Sequence, residues 1–375
     1  MAENMTNFQC PACTGPLHFV GQSGKLECEY CGSGFTTQEI ESKYAEAEPE
    51  KNAADGEAVA VPGDSEKING SWDGSAMSSD WGSDAQNMKS YNCKSCGAEL
   101  ICDSSTAASQ CPYCGSPTVM QAQFAGNLKP ELMIPFKITK EQAIEAMKNH
   151  YKGKKLLPKA FSSNNHMQEI KGVYVPFWLY DSKGAVNAWF EGTRKKIVDT
   201  KNARIEETQH FQIHRMGSVS FEKVPVDASS KVPSEYMDSI EPYNYEELKD
   251  FSVAYLPGYM ADRYDISMEE CSERADRRMA ESAVDAMEKT VSGYDDVELQ
   301  SKTVNINRGK VRYALLPVWL LTTRFNGENY LFAVNGQTGK TVSKLPVDKG
   351  LAKVCFLKYA AVASAIAMGL SLLFM

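Results

Sequence analysis

Two sets of cysteines constrain this chain more than any other feature. Cys10, Cys13, Cys28 and Cys31 form one set, and Cys93, Cys96, Cys111 and Cys114 form the other. Each reads C-x2-C, fourteen intervening residues, C-x2-C, as CPAC with CEYC and as CKSC with CPYC. A C-x2-C turn aims two thiolates at one point about 2.3 Å away, and two such turns on facing hairpins complete a tetrahedron around zinc. Gly32 and Gly115 follow the second knuckles, where a tight turn needs positive φ. Four thiolates leave no coordination position for water, so the expectation is two structural zinc ions. Each would sit in a small β zinc ribbon of the rubredoxin-like kind, folded largely by its metal. A redox use of the pairs fits less well than four ligands at ribbon spacing. The three cysteines outside these sets, Cys102, Cys271 and Cys355, read as small buried hydrophobes.

The N-terminal MAENMTNFQC has neither a basic region nor an apolar one, so no cleaved signal peptide is expected. Paired thiols in a body without an export signal point to the reducing cytosol. With 375 residues there is room for two or three domains. The formal net charge is −8. Residues 1–40 carry one lysine against four glutamates, and 88–120 is neutral before any thiolate charge is counted. Nucleic-acid binding, the alternative use of a zinc ribbon in replication or transcription, draws on Lys and Arg contacts to phosphate that are sparse here.

The expected order is ribbon 1 over residues 7–36, an acidic linker over 42–90, ribbon 2 over 91–120, a body over 128–348 and an apolar helix over 354–375. Between Glu41 and Lys89 there are eleven acids, four lysines and no aliphatic periodicity, which predicts a disordered coil spanning roughly 35–42 Å. Trp72 and Trp81 interrupt it, either as a short docking segment or as packing against the neighbouring ribbon.

The body reads as α+β. Thr139 with Gln142, and Ser267 with Glu270, form capping boxes that start two helices. Met268, Cys271, Ala275 and Met279 place one face of the second helix in a core. Each helix precedes a similar strand phrase, VYVPFWLYD at 173–181 and ALLPVWLLT at 314–322, and Asn326-Gly327 marks a type I′ hairpin after the second. A duplicated unit is therefore expected, with repeats at 128–226 and 250–345. The helix, hairpin and NGQTGK turn are somewhat similar to small PepSY-type α+β modules.

From Tyr359 to Met375 run seventeen uncharged, mostly apolar residues, about 26 Å of helix, extended to Val354 if Lys358 snorkels. Lys349, Lys353 and Lys358 precede them, so the expectation is a single-pass tail anchor in the cell membrane, touching lipid through 354–375, with the body in the cytoplasm. The competing expectation is a core helix of a soluble domain.

Other signals are set aside. NGQTGKT at 335–341 has Val334 where a phosphate-binding loop needs its first glycine. His210 and His214, four apart in a β-alternating segment, would share a strand face about 13 Å apart. Lys154-Lys155 and Arg194-Lys195-Lys196 read as solvated faces, or as contacts to anionic headgroups where they meet a membrane. No arrangement of catalytic residues emerges, and the chain reads as a binding protein rather than an enzyme.

Five phrases carry a family resemblance: CPYCGSPTV, FEKVPVDASSK at 221–231, MDSIEPYNYEEL at 237–248, AYLPGYMADRYD at 254–265 and LPVWLLTTRFNGENYLFAVNGQTGK at 316–340. Over most of residues 90–350 the chain resembles TFIIB-type zinc-ribbon proteins of Gram-positive bacteria, also labelled primosomal, replication-restart helicase-like. That helicase label has no phosphate-binding loop here to support it. The resemblance implies a membrane protein that accompanies SPFH-domain and phage-shock-type proteins under envelope stress, recruiting or scaffolding them as an adaptor. Family members often carry more membrane or tail sequence beyond this point.

Overall fold

The structure, a computed structural model, describes residues 10, 12, 17–21, 23–28, 31–36 and 39, then 68–373 apart from 107, 109, 118, 123–127, 160, 162–166 and 200–203. In chain order the elements are β1 (Leu17–Val20), β2 (Lys25–Cys28), β3 (Gly34–Phe35), β4 (Met88–Cys93), β5 (Glu99–Asp103), β6 (Val119–Ala122) and β7 (Leu132–Met133). There follow α1 (Lys140–Tyr151), β8 (Lys171–Asp199), β9 (Arg204–Asp227), α2 (Ser234–Ile240), β10 (Lys249–Asp250), β11 (Met260–Asp262) and α3 (Ser272–Glu288). The chain continues through β12 (Asp296–Phe325), β13 (Glu328–Asn335), β14 (Thr341–Ser343) and α4 (Lys349–Leu373). The architecture is mixed α and β, with a small three-stranded sheet, one eleven-stranded sheet and few helices.

The two PxW phrases lie side by side. β8 and β12 run antiparallel from Lys171 opposite Leu320 to Thr193 opposite Asp296. Buried on both faces, the stretches 173–180 and 314–321 are near-continuous apolar runs rather than alternating ones. A proline inside such a strand removes a ladder donor. Here each sits where the outer neighbour leaves the sheet. β9 ends opposite Phe177, and the next amide, Ala228 N–H, donates to the Pro176 carbonyl at 2.9 Å. β13 ends opposite Val318, and Gly336 N–H donates to the Pro317 carbonyl at 2.8 Å. Neither proline therefore costs the sheet a bond.

The tryptophans two residues on are also used reciprocally. Trp178 Nε1–H donates to the Ile266 carbonyl at 3.0 Å, just before the Ser267–Glu270 cap. Trp319 Nε1–H donates to the Ile138 carbonyl at 2.9 Å, just before the Thr139–Gln142 cap of α1. Each hairpin thus holds the entry to the helix that precedes the other. The second cap leads into a turn, and α3 proper begins at Ser272, four residues later than a cap at Ser267 alone suggests. Ala275, Met279, Ala283 and Val284 bury the face of α3 that lies on β8, β9 and β12. Asn326 and Gly327 take φ of +50° and +85°, closing the β12–β13 hairpin as the sequence predicts.

The linker expectation needs correction from residue 68 onward; 42–67 lie outside the described residues. Asp73 N–H donates to the Gly309 carbonyl and the Asp73 carbonyl accepts from Val311 N–H, so this stretch is strapped along the edge of β12. Trp72 meets Tyr180 edge-on at 4.7 Å under the Arg308 guanidinium, and Trp81 meets Phe251 at 5.8 Å. Both indoles are buried against the body, and two such side chains outweigh a polar composition that otherwise favours coil.

The second cysteine unit is joined to the body by its backbone. β5 pairs antiparallel with β11, which pairs in parallel with β8, so the β4–β5–β6 sheet continues the main one. The first unit, β1–β2–β3, buries Leu17 and Leu26 in the body's core. At Gly21 an added Cβ would stand 1.8 Å from the Phe136 carbonyl oxygen, so only glycine allows that approach.

The reciprocal indole bonds give a testable consequence. Trp178→Phe and Trp319→Phe should each lower stability by about 1–3 kcal/mol through a partly buried carbonyl left without its donor, and by more from lost volume. Trp189→Phe, at a position 42% exposed, should change it by about 0.5 kcal/mol or less. Urea unfolding of the detergent-solubilised protein, followed by circular dichroism, reads all three.

Candidate metal centres

The knuckles share one backbone geometry. The carbonyls of Cys28, Cys93 and Cys111 accept from the amides of Gly32, Gly97 and Gly115 at 2.8, 2.9 and 3.0 Å. Their own amides donate to the carbonyls of Ser33, Ala98 and Ser116, each at 2.9 Å. The three glycines have φ of +71°, +71° and +70°, where a side chain would be strained. Gly97 belongs with the two the sequence picks out, and the CKSCG string already carried its signal.

These turns bring Cys93, Cys96, Cys111 and Cys114 together with all four sulfurs within 4.8 Å of one another. The Cys93–Cys114 and Cys96–Cys111 separations are both 3.6 Å. Tetrahedral zinc with bonds of about 2.3 Å sets sulfurs about 3.8 Å apart, and no pair is close enough for a disulfide. Burial pushes the Cys96 thiol up to about 11 and Cys111 higher still, so four crowded thiolates need a cation among them. The donor set fits zinc. In the first centre the sulfurs of Cys10, Cys28 and Cys31 likewise lie within 4.8 Å of one another, with those of Cys10 and Cys31 3.5 Å apart. Cys13 lies outside the described residues.

Groups both distant and near in sequence brace the second centre. Thr322 Oγ1 donates toward the carbonyls of Pro112 and Tyr113 at 3.0 and 2.7 Å. Gln110 Nε2 donates to the Gly115 carbonyl, and Arg263 pairs with Glu99 at 2.6 Å. The Tyr113 ring, between two ligands, is buried beside Asp262 of β11. Asp262 is fully buried, takes a 2.6 Å bond from Ser229 Oγ and is pushed up to about 7 by burial. None of these groups carried a pattern the sequence could show. Beside the knuckle opens a polar cleft of about 810 Å³ between Ser95, Cys114–Pro117, Glu169 and the β12–β13 turn at Thr322–Asn329.

The remaining expected sites come apart as follows. Burial holds Cys102 and Cys271 up to about 12 as unreactive thiols, and Cys355 lies on α4. His214 stacks on Trp189 at 4.2 Å and bonds Asn187, while His210 bonds Glu191. The two histidines lie on strand β9, each engaged with its own neighbours on β8. NGQTGKT forms the β13–β14 turn, with Asn335 Oδ1 accepting from the amides of Gln337 and Thr338. α4 is 25 residues long, about 37 Å, and its Lys349–Met368 stretch is long and apolar enough to cross a membrane. None of that stretch is buried, so it is not the core helix of the competing expectation.

Together these features define a chain with two cysteine clusters fit for zinc, a large mixed sheet and one exposed apolar helix. The uncharacterized protein YdjG of Bacillus subtilis strain 168 is 34% identical to it over 310 residues, covering 70% of this chain and 91% of YdjG. The chain belongs to the YdjG family. No family model matches it, and no solved structure does.

Elemental analysis of freshly purified, reduced protein should give two zinc ions per chain. Cys111→Ser should leave one. Because β5 is paired to β11, amide exchange should then rise at Ala261 as well as at Leu100 and Ile101. Exchange confined to the knuckles would contradict the continuous sheet.

Asp262 makes stability depend on pH. Its folded value, about 7, lies above the ordinary aspartate value near 3.9, so the folded state holds the extra proton between them. Stability should therefore fall as pH rises from about 4 to 7, by at most about 4 kcal/mol, and then level off. Asp262→Asn should flatten the difference, measured by urea unfolding of both proteins at matched pH from 5 to 8.

Proposed function

We propose that this chain is a membrane-anchored zinc-ribbon adaptor, with α4 crossing the bilayer and the cysteine centres on the cytoplasmic side. The observation that carries the reading is an apolar helix with no buried residue over Lys349–Met368, joined to a body that holds two cysteine clusters fit for zinc. An apolar stretch this long has no reason to stay in water, and hydrocarbon is the environment that suits it. Lys349, Lys353 and Lys358 flank it on the body side, which favours cytoplasmic retention of that side. Thiolates also stay metal-loaded most readily in a reducing compartment.

In this reading the zinc ions are structural and each ribbon is a rubredoxin-like platform. The cleft between the second knuckle and the β12–β13 turn is the surface offered to a protein partner, with no catalytic step involved. The body is a duplicated helix–hairpin unit, supported by the matched prolines and reciprocal tryptophan bonds. The partners favoured by the sequence resemblance are SPFH-domain or phage-shock-type proteins gathered at the membrane under envelope stress.

The experiment is deletion of residues 351–375. The truncated protein should become soluble, keep its zinc and still bind its partner, now drawn away from the membrane. Fractionation and imaging of the tagged partner report this, and a partner whose position ignores the deletion would sink the adaptor reading. Ile366→Arg, at mid-helix, should weaken insertion by roughly 2.5–3.5 kcal/mol while leaving the body folded. Sub-micromolar, sequence-dependent DNA binding at about 150 mM salt would favour a nucleic-acid role instead.

A further inference from the structure

Charge in this chain is strongly segregated. Residues 148–159 hold Lys148, Lys152, Lys154, Lys155 and Lys159 and no acid; residues 344–358 hold Lys344, Lys349, Lys353 and Lys358 and one acid, Asp348. These two segments total +8 in a chain of net charge −8, so the rest carries −16. The fold brings them together at one point. Asp348 N–H donates to the Leu156 carbonyl at 2.9 Å, pinning the start of α4 to the loop that follows α1. The single acid is already engaged, since its carboxylate accepts from the amides of Gly350 and Leu351 at 2.8 and 3.0 Å and caps the helix.

All nine lysines are exposed. Among the described residues no ion pair engages Lys152, Lys154, Lys155, Lys349 or Lys353. Nearby, burial and then the charge of Lys154 hold His150 below its ordinary value, so it adds no positive charge near neutrality. The cationic zone therefore consists of lysines left facing outward. It abuts the exposed apolar stretch directly: Leu351, Val354, Phe356 and Leu357 are 38–72% exposed. On a helix Lys349 and Lys353 are separated by about 6 Å along the axis, within the depth of one headgroup layer.

We propose that the 152–155 loop and the root of α4 form one collar that binds the phosphates of anionic phospholipids. The proposal rests on the membrane-anchor reading and adds to it a site outside the helix. Lysine suits the task, because its ammonium is a mobile point charge that follows fluid headgroups without a fixed geometry. The rest of the body is acidic and is repelled by an anionic leaflet, so attraction at the collar sets which face of the body lies toward the bilayer. The loop and the helix root then act as two footings, and the body stands in a defined attitude instead of swinging from one helix.

The test uses the full chain reconstituted into vesicles of phosphatidylcholine alone, or with 30 mol% phosphatidylglycerol. Lysines are labelled with a limiting amine-reactive reagent and quantified by peptide mass spectrometry. Lys152, Lys154 and Lys155 should label about fivefold more slowly in the anionic vesicles, the factor expected for one lysine at such a surface. Added salt at about 0.5 M should restore the rate, while Lys289 and Lys302, on α3's end and the far arm of β12, should label equally in both. Equal labelling of the loop in both vesicles, in protein that resists alkaline extraction, overturns the collar and leaves the anchor standing. Release by alkaline extraction overturns the anchor reading and the collar with it.

Discussion

From Lys171 to Thr193, β8 lies against β12, and nearly everything else in the body takes its position from that pairing. Over 173–180 and 314–321 the strands are buried on both faces, and beyond them one face stays buried, so their register cannot slip without moving an apolar row into water or a charge into the core. The prolines then fix where the return strands stop, and the indoles fix where the helices start. Each half is completed by groups from the other: Trp178 reaches Ile266 in the second, and Trp319 reaches Ile138 in the first. An isolated half would expose one face of its hairpin and leave its tryptophan without an acceptor, which favours folding of both together.

The polar contacts around this core follow the same economy. Asp227 is fully buried yet paired with Arg274 at 2.5 Å and with Ser234, and Arg278 links Glu241 and Asp238 of the α2 region to α3. Carboxylates inside the sheet's rim are acceptable because each has a cation or hydroxyl within reach. Asp262 has the Ser229 hydroxyl but no ion pair among the described residues, and burial accordingly favours its proton.

Local features were legible in the sequence where the physics is local. Capping boxes at Thr139 and Ser267, the Asn326-Gly327 turn and the C-x2-C knuckles each depend on residues within a few positions of one another, and all take the expected geometry over the described residues. The two PxW phrases announced a relation between segments, but not that the segments would be sheet neighbours. What the sequence hid was long-range. Residues 68–87 look like coil because their composition is polar, and only the partners Tyr180, Arg308 and Phe251 make Trp72 and Trp81 into anchors. Likewise three residues of β11, too short to register as a strand, tie the second cysteine unit to the body. The bracing of that unit by Thr322 and Arg263 left no trace in spacing for the same reason.

The β5–β11 junction has a consequence for how this protein would fail. An open sheet edge offers unpaired amides and carbonyls to any other strand, and proteins cover or disrupt such edges to avoid joining one another. Here the cover over β11 is itself a small sheet built around a cysteine cluster fit for zinc. Loss of zinc from Cys93, Cys96, Cys111 and Cys114 would do more than loosen a peripheral loop, because it would uncap the main sheet at that side. In the membrane-anchored state proposed above, copies would be confined to a plane and meet often, and an uncapped edge would invite strand exchange between molecules. Metal supply would then govern whether the chain remains singly dispersed or condenses into insoluble patches.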